Sequence, residues 1–380
     1  MTNPAGLDGY CIGLMSGTSL DGIDAALLWC QQDSIRFVDA LALPMPPGLR
    51  TALLELCDTK QPSFIELAQA EHAFCTVQAE AVTQILRRNA LQHTDILALG
   101  SHGQTIEHQP EAEPPFTYQL DNPHLLSELT GCRTVSDFRR RDVAAGGQGA
   151  PLAPAFHRAV FSDENRWRVA LNLGGFANIT VLPPPGEGPV RGFDTGPANV
   201  LMDAWHHRHR QHPFDEHGQW ARTGNIDDAL LTTLMSDPFF KRRPPKSTGR
   251  EYFNQNWLDT HLKPFSVAPN DVQATLLELT ARTIAEAIYD QIPAHAQPRA
   301  SVIPCGGGAH NTFLLNRLAA HLDPIELCEC ETLGWSPDWL EACAFAWLAW
   351  QRLNHRPGNL PEVTGAKGPR VLGTVTAPQF

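Results

Sequence analysis

Several stretches of small and polar residues follow directly on apolar runs, and their composition suits the handling of phosphate. In YCIGLMSGTSLDGID, an apolar strand expected over Tyr10–Met15 enters a turn at Ser16–Gly22 and leaves along a second strand, Ile23–Trp29. Gly17 and Gly22 lack a Cβ, so the chain can bend sharply and another group can approach the backbone N–H groups. Ser16, Thr18 and Ser19 add hydroxyl donors, and successive N–H groups in such a turn form a concavity for phosphate oxygens. Asp21 and Asp24 would repel a phosphate unless a cation stands between them. Mg²⁺ takes carboxylates, waters and phosphates together, which makes Asp21 a candidate ligand, directly or through water. The plainer reading is a β-hairpin with a polar turn.

The theme recurs. Val169–Leu173 and Ala177–Leu182 read as strand, LGGF turn and strand, and a Pro/Gly loop then leads to GFDTGPANVLMDAW, residues 192–205. Asp194 is expected to end a short strand, Gly196 to turn the chain, and Pro197 to open a helix, its favoured first position. The N-terminus of that helix would be a second anion site. Asp194 is a candidate catalytic carboxylate, although a carboxylate at a strand end can simply cap a turn. Ser301–Cys305 reads as a strand running into GGGAHN. Gly306, Gly307 and Gly308 would let the backbone lie flat against a purine or its ribose, or would form a plain strand-to-helix turn. Neither GxxxxGK[ST] nor a Rossmann-type GxGxxG is present, which excludes the P-loop and dinucleotide fingerprints.

Three further stretches carry possible chemistry. His102, in the SHGQT that follows the apolar strand Ile96–Gly100, stands where α/β sheets place ligand groups, and reads equally as a structural histidine. In DFRRRDVAAGGQGAP, Arg139, Arg140 and Arg141 lie beside Gly146, Gly147 and Gly149; this suits a mobile connection between lobes, with arginines that meet an anion or that form a plain solvated basic run. Glu341 falls in a helix expected over Asp338–Leu353, among Trp339, Leu340, Ala342, Cys343, Ala344 and Phe345. A carboxylate there is costly unless paired or used, and the helix N-terminus eases the cost. The clustered His206, His207, His209, His212 and His217 lack an ordered metal-ligand spacing and read as an exposed helix end. RRPPKSTGRE (Arg242–Glu251) reads as a lid or plain surface.

The elements that position these groups need a sizeable protein. At 380 residues the chain can hold two domains with proper cores, and 42% apolar with 18% charged residues describes an ordinary globular protein. A formal charge of −12 argues against a sequence-independent nucleic-acid binder. Nine scattered cysteines without a CxxC pair point to reduced thiols and a cytoplasmic setting. The N-terminus lacks a signal-peptide pattern, and the longest apolar run, Ala342–Trp350, falls far short of the ~20 residues that span a membrane. Ser63 with Glu66 forms a capping-box signature ahead of a helix expected to reach about Arg88.

The order of these parts, hairpin with GTSLDG, hairpin with LGGF and FDTGP, then strand–GGG–helix, resembles the actin, sugar kinase and Hsp70 superfamily. That resemblance implies an α/β, two-lobed actin-like ATPase (ribonuclease H-like) fold with an interdomain cleft. The lobes are expected at residues 1–140, with 372–380 returning to them, and 141–371. More closely, GLMSGTSLDGID, GSHGQT, DFRRRDVAAGGQGAP, NLGGFANIT, GFDTGPAN, KSTGRE and CGGGAHN resemble the anhydro-N-acetylmuramic acid kinase family, from Tyr10 to about Thr374. This resemblance implies that ATP, water and 1,6-anhydro-N-acetylmuramic acid give N-acetylmuramate 6-phosphate and ADP, in peptidoglycan recycling, with Mg²⁺ as cofactor. It implies Asp194 as the base and Glu341 as an orienting acidic group at the sugar; His102 would also touch the sugar, and Arg139 or a neighbouring arginine would pair with the lactyl carboxylate or the transferring phosphate. Gly17, Thr18, Ser19, Leu20, Asp21, Gly22, Ile23 and Asp24 would cradle the β- and γ-phosphates. Gly174, Gly175, Asn178 and Gly196 would form the second phosphate hairpin, and Gly306–Gly308 would meet the adenosine. A homodimer in the cytoplasm, without nucleic-acid or membrane partners, is also implied. A kinase for an ordinary sugar hydroxyl, or an ATP-switched binding protein of the actin or Hsp70 type, are the competing readings.

Overall fold

The computed structural model describes residues 6–17, 19–32, 34–59 and 62–378. The chain divides into two compact units, residues 1–160 with 339–380, and residues 161–338.

In the first unit, β1 (Gly9–Met15) pairs antiparallel with β2 (Gly22–Gln31), and β2 antiparallel with β3 (Ser34–Pro44). A helix over Pro47–Asp58 follows, then a long one over Phe64–Arg88. The long helix starts with the expected capping box: the Ser63 hydroxyl accepts from Glu66 N–H, and the Glu66 carboxylate accepts from Ser63 N–H at 2.9 Å. β4 (Ile96–Ser101) lies parallel beside β1. β5 (Gln104–Gln109) and β6 (Phe116–Leu120) form a separate hairpin, and β7 (Thr134–Ser136) lies parallel to β4.

The second unit is built on β8 (Arg168–Leu173), β9 (Phe176–Leu182), β10 (Arg191–Pro197), β11 (Ser301–Cys305) and β12 (Glu326–Leu327), in the order β10-β9-β8-β11-β12. The helix Pro269–Tyr289 buries Leu277, Ala281, Ile284 and Ile288 in the core beneath this sheet. The chain then returns to the first unit. There the helix Leu340–Leu353 packs on β1, β2 and β4, and β13 (Thr374–Thr376) pairs antiparallel with β7.

The two sheets share one plan. In β3-β2-β1-β4-β7 and in β10-β9-β8-β11-β12, three antiparallel strands are followed by two parallel ones, in the same connection order. This duplicated α/β unit is the two-lobed actin-like ATPase fold.

The division between the units differs from the expected one: residues 141–160 and 339–371 belong with the first. A Cβ on Gly13 would run into the backbone of Ala342, and one on Gly100 into that of Phe345. The helix Leu340–Leu353 therefore lies directly on β1 and β4. The arginine- and glycine-rich run is likewise no mobile connection between lobes. It forms a short helix, Arg140–Ala144, whose Asp142 is fully buried. The Asp142 carboxylate accepts from Gly149 N–H at 2.8 Å, Asn359 Nδ2 at 2.7 Å and the Thr364 hydroxyl at 2.8 Å. The glycines let the chain wrap round this buried acid, which is why they read as a hinge from composition alone. Among the described residues no helix is long and apolar enough to cross a membrane, and none of the nine cysteines forms a disulfide.

Candidate functional site

The β1–β2 turn is tightly tied. The Ser16 hydroxyl donates to Gly22 C=O at 3.1 Å, Ser19 Oγ donates to Asp21 Oδ1 at 2.7 Å, and Met45 N–H donates to Asp21 C=O at 2.8 Å. Among the described residues of the turn, Leu20 is left-handed, at φ 55, and neither glycine is. Gly22 is required because a Cβ would stand 2.5 Å from the Leu43 carbonyl oxygen. At Gly17 a Cβ would meet its nearest neighbour, Ser19 Oγ, at an ordinary 3.6 Å, so the fold does not demand glycine there. Ile23 is buried in β2, and Asp24 sits opposite Met15 in the β1–β2 ladder. Asp21 is exposed. Thr18 lies outside the described residues. Among the described residues no three His, Cys, Asp or Glu side chains gather into a metal cage; one exposed carboxylate in a polar turn fits Mg²⁺, which binds through one or two carboxylates plus substrate phosphates.

His102, Arg139 and Glu341 come together in the first unit. His102 is buried at the end of β4, its ring 4.6 Å from that of Phe345. Arg139 Nε donates to His102 Nε2 at 3.0 Å, so that nitrogen is the acceptor and the proton of the neutral ring sits on Nδ1. His102 Nδ1 is buried with no hydrogen-bond partner among the described residues. Burial, then the charge of Arg139, holds the imidazole well below its ordinary range, so it stays neutral. Arg139 also donates from Nη1 to Gly149 C=O at 2.9 Å. Burial lowers the guanidinium to about 10 against the opposing pull of Glu341 and Asp142. Glu341 sits in the first turn of its helix, which begins at Leu340 rather than Asp338. Solvent reaches its side chain. Surrounding protein still raises its carboxyl above the ordinary range, while Arg139 draws it down.

In the second unit, Asp194 lies within β10, opposite Asn178 of β9, and does not end the strand. The register slips between Asp194 and Gly196, a bulge of the kind that re-aims side chains near functional sites. A Cβ on Gly196 would press on Phe240 at 2.7 Å. Thr248 N–H donates to Asp194 Oδ2 at 2.9 Å, and Asp194 N–H donates to Lys246 C=O at 3.1 Å. Burial raises the Asp194 carboxyl to about 6; Glu251 adds to this, while the Thr248 N–H and the Lys246 charge oppose it. The segment Arg242–Glu251 thus supports Asp194. In the sequence, Lys246 and Thr248 carry no signal beyond the polar KSTG.

Pro197 closes β10 and the next helix begins at Asn199. The N–H groups of Ala198, Asn199 and Val200 donate to the carbonyls of Gly175, Gly174 and Gly175 at 3.0, 3.1 and 3.0 Å. These first-turn donors are satisfied by the β8–β9 turn, so the expected anion site at that helix N-terminus is not supported. Gly308 packs against Leu173 and Asn199, so the GGG turn and the Gly174–Gly175 turn meet. Gly306, at φ 77, leaves no room for a Cβ beside Asn172, whereas Gly307 faces open space. Among the histidines, His206 is buried against Trp220, ring centroids 5.4 Å apart, and not part of an exposed helix end.

The duplicated sheet, with glycine turns at the ends of β1 and β8 and a half-buried carboxylate on β10, defines the fold class of actin-like ATPases and sugar kinases. The family profile of anhydro-N-acetylmuramic acid kinase matches residues 9–378. A relative of that description from Chromohalobacter salexigens is 58% identical over 96% of this chain and 99% of its own length. Others, from Xylella fastidiosa and Pseudomonas paraeruginosa, are 49% and 50% identical; they cover 98% and 96% of this chain and 97% and 98% of their own lengths. The chain belongs to the anhydro-N-acetylmuramic acid kinase family.

Proposed function

We propose that the chain carries out the reaction for which its family is named: ATP-dependent opening of 1,6-anhydro-N-acetylmuramic acid to N-acetylmuramate 6-phosphate and ADP, in cell-wall recycling. In the anhydro sugar, O6 is locked in an ether to C1, and no 6-hydroxyl exists to be phosphorylated. Water must therefore attack C1 as the C1–O6 bond breaks, O6 takes the γ-phosphoryl group, and ADP leaves. Asp194 accepts the proton from the water.

The observation that carries this reading is the state of Asp194. Its Oδ2 is fixed by the Thr248 N–H, and Oδ1 takes no hydrogen bond among the described residues. With its carboxyl near 6 it is mostly ionised at neutral pH while still a useful base. Glu341, His102 and Arg139 orient the sugar, with the His102 Nδ1–H as an available donor. The N–H groups of Gly17–Asp24, and those of the Gly174–Gly175 turn beside Asn178 and Gly196, hold phosphates; positioning and charge neutralisation dominate phosphoryl transfer. Open space at Gly307 suits the adenosine. Asp21 would hold Mg²⁺, which neutralises phosphate charge when bound. A homodimer and a cytoplasmic setting complete the proposal.

The test is ADP release with purified 1,6-anhydro-N-acetylmuramate, with N-acetylmuramate, and with no sugar. Release with the anhydro sugar alone is expected; equal release from N-acetylmuramate indicates an ordinary hydroxyl kinase, and release without sugar an ATP-switched protein. In ¹⁸O-water, promptly analysed product should carry the label at C1.

A further inference from the structure

The three arginines of the run Asp137–Pro151 do not share one task. Arg139 turns to His102 and Gly149. Arg140 and Arg141 instead line a separate cavity of about 440 Å³ in the first unit, together with Arg352, Asp137, Val371 and Thr374. Arg352 comes from the far end of the helix that carries Glu341, and residues 341 and 352 are separated by about 16 Å of helical rise. Arg352 Nε is buried with no hydrogen-bond partner among the described residues. Arg141 is exposed and makes no ion pair among them. Arg140 stands 3.6 Å from the Asp137 carboxylate, the only acidic group of the lining among the described residues, and donates weakly to Thr117 C=O at 3.4 Å. Three guanidinium groups thus face one carboxylate, in a chain whose formal charge is −12.

Gathering like charges round one cavity costs free energy, which a bound anion recovers. Guanidinium forks match phosphate oxygens in pairs. The volume falls within the range of small-molecule sites and exceeds what a bare phosphate fills. We propose that the Arg140–Arg141–Arg352 cavity is a second binding site, for a small phosphorylated molecule, separate from the groups assigned to ATP and sugar. Arg141 and Arg352 grip the phosphate, Arg140 supports it from the Asp137 side, and the organic part lies toward Val371 and Thr374.

The experiment titrates inorganic phosphate, and then glucose 6-phosphate, into the full-length protein saturated with a non-hydrolysable ATP analogue, by calorimetry. Saturable binding of the sugar phosphate is expected. The exposed substitution R141Q should weaken it about tenfold, the scale of one charge-assisted hydrogen bond. R141Q/R352Q should abolish it, and R88Q, at the unrelated surface pair with Asp39, should leave it unchanged. Failure of the wild-type protein to bind either probe overturns the proposal. So does binding by R141Q at wild-type affinity, or equal weakening by R88Q.

Discussion

Thr248 N–H donates to Asp194 Oδ2 at 2.9 Å, and the Lys246 carbonyl accepts from Asp194 N–H at 3.1 Å. Two residues of a distant loop thereby clamp the carboxylate from its side chain and its backbone. The same loop brings Lys246, which lowers the Asp194 carboxyl, and Glu251, which raises it, with burial outweighing both. A general base works only when ionised, so turnover should fall as pH drops through about 6. Lys246→Met removes a charge that favours the carboxylate, and the acid limb of kcat should move to higher pH. Glu251→Gln removes a charge that disfavours it, and the limb should move lower. Identical limbs in both variants would assign that titration to another group.

Asp194→Asn keeps the size of the side chain and its bond from Thr248, but cannot take a proton from water. Turnover should fall by about 100-fold or more, the usual scale for a general base, while calorimetry shows ATP binding intact. Near-normal turnover removes Asp194 from the mechanism.

The two glycines of the β1–β2 turn should separate cleanly. Valine at Gly22 would drive its Cβ against the Leu43 carbonyl oxygen at 2.5 Å, a backbone atom that cannot swing away. Overpacking of this kind costs about 1–3 kcal/mol, so Gly22→Val should melt earlier than wild type. Gly17→Val meets no such obstacle and should melt normally. If phosphate oxygens approach Gly17 N–H, its ATP affinity should nevertheless drop. A Gly17 variant that folds and binds ATP as wild type counts against the hairpin assignment.

Local features were legible in the sequence where the partner lies close by. The Ser63–Glu66 box, the β1–β2 hairpin and the helix ending at Arg88 are decided within a few residues by capping and periodicity. What misled were groups whose partners lie far along the chain. Asp142 is bound by Asn359 and Thr364, more than two hundred residues on, and the run from Arg139 to Gly149 shows only a flexible composition, so packing glycines look like a hinge. Pro197 signalled a helix start, yet the bulge at Gly196 carries β10 through it. The motif marks the carboxylate of Asp194, but Lys246 and Thr248, its partners from a loop distant in the chain, follow only from the fold.

The strongest test of the second unit's integrity is remote from its chemistry. Glu278 is fully buried and accepts from Arg282 at 2.9 Å, Arg317 at 2.8 and 2.9 Å, and His321 at 2.7 Å, joining the helix Pro269–Tyr289 to the helix Thr312–Leu322. Burial alone would raise its carboxyl, but hydrogen bonds from Arg317, Arg282 and His321 outweigh it and bring the group down to about 2. Because the folded value lies below the ordinary 4.5, this stabilisation is present above pH 4.5 and is lost as pH falls toward 2. Glu278→Gln leaves the basic partners facing a neutral amide; because those partners are partly exposed and water takes up some of the loss, the cost should fall below the about 3–5 kcal/mol of breaking a fully buried pair. Chemical denaturation at neutral pH should show that loss, and the gap between variant and wild type should narrow on acidification through that window. A gap that stays constant with pH would mean the carboxylate's charge contributes nothing, and that the loss reflects packing alone.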